Sequence, residues 1–258
     1  DSRIAKAQHL LTQWHRVAPT FLSMHELGAT IPNECKVAMN CTFVSDNLTG
    51  VFQVPSYYAW LMKADLTYPY AYYRRMLQLL QWRNPRRHWL LKSPSHVWSL
   101  PVLFKVFPDA RIVYTHRDPI KTQASVTNLL GTIYWMRSDK PMAVSAFEGL
   151  LSPEHMAARL ERIIDWQDRG EIPGEQCFSS LHADLIERPV EAVRRIYGEA
   201  GLACTPETIR RVEAYLAKKP QGKFGRHDYG VGESAEIRRK RAIFRRYQEY
   251  FGVPNEVA

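Results

Sequence analysis

The sequence predicts a helix-rich α/β fold, a parallel β-sheet flanked by helices, in a single domain over residues 1–258. Three observations predict it. Apolar residues recur at helical spacing through most of the chain. Two short apolar runs, His88-Trp89-Leu90-Leu91 and Arg111-Ile112-Val113-Tyr114-Thr115, bracket a helical stretch. Strand, helix, strand at this spacing makes a βαβ unit, whose two strands run parallel.

The elements follow in order. Behind Ser2 as a cap, Ile4, Ala7, Leu11, Trp14 and Val17 share one face of a first helix. A second helix is expected from Pro32 to Phe43, with proline in its first turn. Pro55–Ala64 and Tyr70–Trp82 are further helices, separated by a break at Leu66-Thr67-Tyr68-Pro69. Then come the strand His88–Leu91, a helix over Ser99–Phe107 with Pro101 near its start, and the strand Arg111–Thr115. Pro119 to about Leu130 is helical, and Gln176–Leu181 is a third strand. Helices at Ser152–Arg169, Pro189–Ala200, Thr205–Lys218 and Ser234–Phe251 complete the chain.

Composition limits the function classes. With 45% apolar residues and no low-complexity tract, the chain can bury a core, and disorder is excluded. The net charge of +9 favours anionic partners: nucleic acid, an anionic surface or a highly charged small ligand. Much of the excess sits in the last helix, at Arg238, Arg239, Lys240, Arg241, Arg245 and Arg246, where a solvated helix face explains it without a partner. The spacings of Cys35, Cys41, Cys177 and Cys204 match neither a metal pair nor a disulfide framework, so a reducing, cytoplasmic setting and no metal are expected. No apolar run approaches the ~20 residues of a membrane span. No signal peptide is visible. The chain begins at Asp1, without a methionine, so a missing upstream part is expected.

Ligands of open parallel sheets bind beyond the carboxyl ends of the strands. Two strand ends here are rich in polar chemistry: Lys92-Ser93-Pro94-Ser95-His96 and His116-Arg117-Asp118-Pro119. Arg117 offers a planar fork matched to phosphate oxygens, beside a helix N-terminus that also favours anions. Ser125, two turns into that helix, adds a neutral donor. Spacing alone favours a plainer role, with Arg117 paired to Asp118 or Asp184 and Ser125 merely packed. His96 titrates near neutrality and suits a general base, or else a structural hydrogen bond at a helix start. His116 fits a packing role at its strand end.

Residues 88–130, HWLLKSPSHVWSLPVLFKVFPDARIVYTHRDPIKTQASVTNLL, resemble the sulfotransferase family, especially its broad bacterial branch. The pattern is a strand ending in Lys, a short helix, "fPdAriv", a strand ending in Arg-(Asn/Asp)-Pro, and a Ser eight positions after that Arg, here Ser125. HELGATIPNEC (25–35) and HADLIERP (182–189) extend the likeness more loosely. The resemblance implies a P-loop-kinase-like sulfotransferase fold and a transferase that binds nucleotide: 3′-phosphoadenylyl sulfate (PAPS) is the co-substrate and adenosine 3′,5′-bisphosphate the product. It implies that Arg117 and Ser125 hold the 3′-phosphate and that Lys92, with Ser93 beside it, meets the phosphosulfate. There a cation stabilises the oxygen that leaves sulfur. It also implies a late basic Gly loop over the 3′-phosphate, matched by Gly222-Lys223-Phe224-Gly225-Arg226-His227, with Lys223 and Arg226 as its cations; an ordinary turn explains the same residues. In the cytosolic branch the catalytic His lies two residues after the Lys. Here that position is Pro94, and His96 stands four after.

The family's N-terminal strand and phosphosulfate loop, Arg-(Ser/Thr)-Gly-(Ser/Thr)-(Ser/Thr)-Leu, have no match in these residues. The expected partner is a small-molecule acceptor, with aromatics near Tyr57-Tyr58-Ala59-Trp60, Tyr68–Tyr73 and Tyr134-Trp135 supplying apolar wall. A homo-oligomer stays open. The alternatives are a non-catalytic relative that binds adenosine 3′,5′-bisphosphate or a protein, and, with no recognised motif behind it, a nucleic-acid module.

Overall fold

A computed structural model describes residues 1–225 and 229–257. Seventeen residues separate the first helix from the segment that begins at Cys35, and they are only partly regular. Helix α1, Ser2–Val17, is followed by the short α2, Phe21–Met24, and by α3, Cys35–Met39. The cap of α1 is Asp1, whose carboxylate accepts from Arg3 N at 2.9 Å, rather than Ser2. Carboxylates serve this position well because they meet both a free N–H and the positive helix end. The helix expected over residues 32–43 contracts to α3 because Glu34 stays extended and Phe43 takes a left-handed φ of 56°.

Helices α4, Asn47–Val51, α5, Pro55–Leu61, and α6, Thr67–Gln81, come next. The expected break at 66–69 is instead the first turn of α6. Pro69 fits there because the N–H groups of a first turn have no intrahelical partner.

His88–Leu91 is extended but pairs with no strand among the described residues. The expected pairing of this run with the next one is therefore corrected. Its neighbourhood is committed elsewhere: Lys92 C=O accepts from Cys35 N at 3.0 Å, and the Trp89 indole donates to Gln81 at 3.0 Å. Leu90 is left 95% exposed. An apolar run becomes a strand only when a neighbour supplies a ladder.

The sheet forms between β1, Ile112–His116, and β2, Cys177–Leu181, parallel and in register from Ile112 opposite Cys177 to His116 opposite Leu181. Between the 88–91 segment and β1 lie a 3₁₀ turn, Pro94–Trp98, and α7, Leu100–Val106. The crossover from β1 to β2 runs through α8, Pro119–Trp135, α9, Glu148–Leu151, and α10, Pro153–Asp168. After β2 come α11, His182–Glu187, α12, Pro189–Glu199, α13, Pro206–Lys218, and α14, Ser234–Phe251. Prolines open α8, α10, α12 and α13, and Ser152 and Thr205 cap α10 and α13 as accepting side chains.

Two apolar clusters hold the site-bearing elements in place. Leu100 and Phe104 of α7 pack with Tyr114 of β1 and Ile163 of α10, which fixes the 94–98 turn against the sheet. Ile120 of α8, Ala157 of α10, and Ile237 and Phe244 of α14 form the other, which seats α14 on the crossover. Phe244 is fully buried. Its truncation to alanine is expected to cost about 3–5 kcal/mol, read as a lowered urea midpoint. A cost under about 1 kcal/mol would show that α14 is not seated this way.

Candidate functional site

The carboxyl edge of the parallel pair gathers the first set of residues. Arg117 leaves β1 directly, and His182 leaves β2. His182 sits close enough for the Arg117 charge, after burial, to push its pKa down. Arg117 donates to Glu256 in a two-pronged grip, Nε to Oε1 at 2.9 Å and Nη2 to Oε2 at 2.9 Å. The carboxylate raises the guanidinium pKa further, against the opposing effect of burial. The pairing predicted from spacing, with Asp118 or Asp184, does not occur. Asp184 takes Arg188 and Arg195.

Asp118 has a different task. It is fully buried, and it caps α8 by accepting from Ile120 N at 3.0 Å. Arg241 of α14 donates to its two oxygens at 2.9 and 3.0 Å, and Glu256 N donates at 2.7 Å. Burial opposes its charge, but these donors outweigh it and hold the carboxyl below its ordinary range. The basic run of α14 is therefore largely spent on structure: Arg239 meets Glu154, Lys240 meets Glu236, and Arg246 meets Asp165 and Glu161.

Ser125 lies on the second turn of α8, with Lys121 one turn before it on the same face. The Lys121 ammonium stands 5.6 Å from the Tyr229 ring centre, and Tyr229 also interacts with Arg117. Lys121, a cation, and His182, an imidazole biased toward its neutral form, are residues of this edge that sequence reasoning passed over. The i, i+4 spacing of Lys121 and Ser125 was the available signal for the first. His182 sits in the HADLIERP segment, with only its place after a strand to mark it.

The second set belongs to the turn before α7. Ser93 caps that turn, accepting from Ser95 N at 3.3 Å. Ser95 Oγ in turn donates to Asp46 at 2.6 Å. Burial raises the Asp46 pKa against the hydrogen bond from Ser95. The Lys92 ammonium is mostly exposed and donates to Glu34, which also takes Lys36 at 3.0 Å. Burial opposes the Glu34 charge, yet hydrogen bonds from His25, Lys92 and Lys36 hold its carboxyl far below the ordinary range. Glu34 and Asp46 were not singled out from the sequence, because acids in irregular segments carry no periodic signal.

His96 Nδ1 lies 2.8 Å from the hydroxyl of buried Tyr70, and that hydroxyl lies 2.8 Å from Ser99 Oγ. Burial pushes the His96 pKa down to about 4, so the ring is neutral at pH 7. In the tautomer in which Nδ1–H donates to Tyr70 and Tyr70 donates to Ser99, Nε2 carries a free lone pair. His116 is the contrast. Burial lowers it to about 4 as well, but Nδ1 meets Tyr247 at 2.7 Å, Nε2 meets Ser179 at 3.1 Å, and the ring stacks on Phe251. It is a packing residue, as its position suggested.

In the expected basic loop, Lys223 is engaged by its own neighbours. That ammonium donates to Lys218 C=O at 3.2 Å, at the end of α13, and lies over the Phe224 ring. Gly222 and Gly225 do take positive φ, 78° and 93°, as a tight turn requires. Arg226 lies outside the described residues.

Of the predicted aromatic wall, Tyr70 and Tyr73 are core. Tyr58 lines a cavity of 120 Å³ with Phe52, Val54 and Phe147, and Trp135 lines one of 370 Å³ with Val17, Asn128 and Thr132. Arg159 lies between the Tyr58 ring and the ring of Trp98, two residues after His96. Among the described residues there is no group of three or more potential metal ligands, and no helix is long and apolar enough to cross a membrane.

Residues 2–207 match the pattern of the sulfotransferase family. Two curated relatives, each an omega-hydroxy-beta-dihydromenaquinone-9 sulfotransferase Stf3, from Mycobacterium bovis and Mycobacterium tuberculosis, are 25% identical over 165 residues. That stretch is 63% of this chain and 41% of theirs, so the match spans less than half the length of the curated relatives. The crystal structure of sulfotransferase STF9 from Mycobacterium avium superposes with a TM-score of 0.73 at 29% identity, covering 98% of this chain and 66% of that one. Sulfotransferase STF1 from Mycobacterium tuberculosis gives 0.73 at 27% identity, covering 93% and 62%.

The His96 geometry sets a pH dependence. Its folded pKa of about 4 lies below the ordinary 6.5. Between those values the unfolded chain binds a proton that the folded chain does not, so this group makes stability rise with pH across that window and contributes no slope above it. His96→Gln is expected to flatten the rise from pH 4.5 to 6.5 in urea midpoints. An unchanged slope would mean that the imidazole is not held neutral by burial.

Proposed function

The chain belongs to the sulfotransferase family, and from that premise we propose that it moves a sulfuryl group from PAPS to a hydroxyl or amine of a small acceptor. One observation carries the reading. Arg117, at the carboxyl end of β1 and beside the start of α8, grips a carboxylate with two parallel donors. A nucleotide's 3′-phosphate presents pairs of oxygens on a tetrahedral centre, and a planar guanidinium fork donates to two of them at once. Ser125 supplies a neutral donor from the second turn of α8, and the α8 dipole favours the charge.

The chemistry then divides between two groups of the 92–96 segment. The acceptor oxygen or nitrogen attacks sulfur, and the bond from sulfur to the bridging phosphate oxygen breaks. His96, neutral at pH 7 with Nε2 unprotonated, takes the proton that the acceptor loses. Lys92 places its ammonium toward the bridging oxygen as negative charge builds there, a gain made chiefly in the transition state. Ser93 organises the turn between them. Glu34 holds the Lys92 ammonium in place until the phosphosulfate arrives.

The curated relatives are named for an omega-hydroxy acceptor, which supports a hydroxyl as the attacking group here. The neighbourhood of Tyr58 and Trp98, close to the His96 turn, is the apolar surface suited to such an acceptor.

The test is a thermal-shift titration with adenosine 3′,5′-bisphosphate. The native state is expected to gain about 2.7 kcal/mol at a ligand concentration a hundredfold above Kd, seen as a rising melting temperature, and Arg117→Ala is expected to abolish the rise. A melting temperature that ignores the bisphosphate would remove the reading. Turnover of an acceptor alcohol is expected to fall about 10²–10⁴-fold in His96→Ala while the bisphosphate still binds. Unchanged turnover would remove His96 as the base.

A further inference from the structure

Glu256 occupies the Arg117 fork that the proposed function gives to a phosphate. The side chain is held there by a backbone that is itself anchored. Glu256 N donates to Asp118 at 2.7 Å, and Arg241 donates to Val257 C=O at 2.8 Å. Gln248 Nε2 donates to Val253 C=O at 3.1 Å and to Asn255 at 3.0 Å. Val253 N donates back to Gln248 C=O at 2.9 Å, and Gly252 makes the turn at a left-handed φ of 62°. Val253 is buried. Segment 252–257 is thus a strap bound to α14 and to the start of α8. Its one group pointing at the guanidinium is a carboxylate about a third exposed.

We propose that Glu256 is an internal competitor for the nucleotide's phosphate: its carboxylate neutralises Arg117 in the empty site and must swing away for the ligand to bind. The inference rests on the phosphate role of Arg117. The strap need not unfold, because its anchors are the backbone of residues 253–257, the Asn255 side chain, and the side chains of Asp118, Arg241 and Gln248, all of which a swing of Glu256 leaves intact. Side-chain rotation alone frees the fork, and such rotations are fast for groups open to solvent. The exchange favours a phosphate dianion over a carboxylate monoanion at the same donors, since more charge and a third oxygen meet the same cation. A partly exposed ion pair is weak, so the competition is moderate, and it falls on ligands that need Arg117. The device lowers affinity for monoanionic look-alikes that cannot displace it.

The experiment is calorimetric titration of this chain and of Glu256→Gln with adenosine 3′,5′-bisphosphate and, separately, with adenosine 5′-monophosphate, which lacks the 3′-phosphate. Glutamine keeps the shape and removes the charge. The variant is expected to bind the bisphosphate about threefold to tenfold tighter and the monophosphate as the parent does. The gain is expected to vanish when Arg117→Ala is added. Glu256→Ala, with no side chain left to compete, is expected to show at least the same gain, and it covers the case in which the glutamine variant folds poorly. Equal or weaker bisphosphate binding in both folded variants would overturn the strap while leaving the nucleotide reading in place. Absence of bisphosphate binding in all the proteins would overturn both.

Discussion

The buried carboxylate of Asp118 is the constraint on which the site depends. One side chain caps α8, receives both prongs of Arg241 from α14 and anchors the Glu256 backbone. A charge buried this deeply is tolerated because every one of these donors meets it. The consequence is geometric. Arg117, the preceding residue, is pinned between the end of β1 and the start of α8 and presents its guanidinium at the sheet's carboxyl edge. Removing one partner of so buried a pair leaves an uncompensated charge, so Asp118 and Arg241 are structural residues that set where Arg117 stands.

The molecule contains two buried imidazoles with the same low pKa and different prospects. His116 has both ring nitrogens engaged and a ring stacked on Phe251, which leaves nothing to offer a substrate. His96 engages one nitrogen through Tyr70 and Ser99, a relay that fixes the ring and leaves the other nitrogen open. Neutrality comes from burial in both cases; what separates the two rings is the His96 nitrogen that has no partner among the described residues. A histidine lowered this far is always available to accept a proton at neutral pH, and it is a modest base. In the proposed reaction its contribution depends on close placement against the acceptor.

Much of the fold was legible in the sequence because periodic apolar faces and proline-opened helices are local signals. Helices α8, α10, α12, α13 and α14 begin within a residue or so of their predicted starts. The strand pairing was not legible. Run 88–91 has the composition of a strand, but β1 takes β2 as its neighbour, and pairing is a property of two distant segments. The residues at the strand tips were read from position and from likeness to a family, whereas their partners were not. Glu256, 139 residues from Arg117, and Glu34, 58 residues from Lys92, carry no sequence mark linking them to the cations they meet. The basic run of α14 misleads in the other direction: its charge excess suggests a partner surface, and much of it is consumed by the Asp118 cap of α8 and by acids of α10 and α14 itself.

The central claim is that the carboxyl edge of the β1–β2 pair is a phosphate site built on Arg117. The most direct measurement is a crystal structure of the chain with adenosine 3′,5′-bisphosphate bound. The account predicts 3′-phosphate oxygens within about 3 Å of Arg117 and Ser125, with the Glu256 carboxylate displaced from the guanidinium. A bound nucleotide whose phosphates lie elsewhere, with the Arg117–Glu256 pair intact, would contradict it.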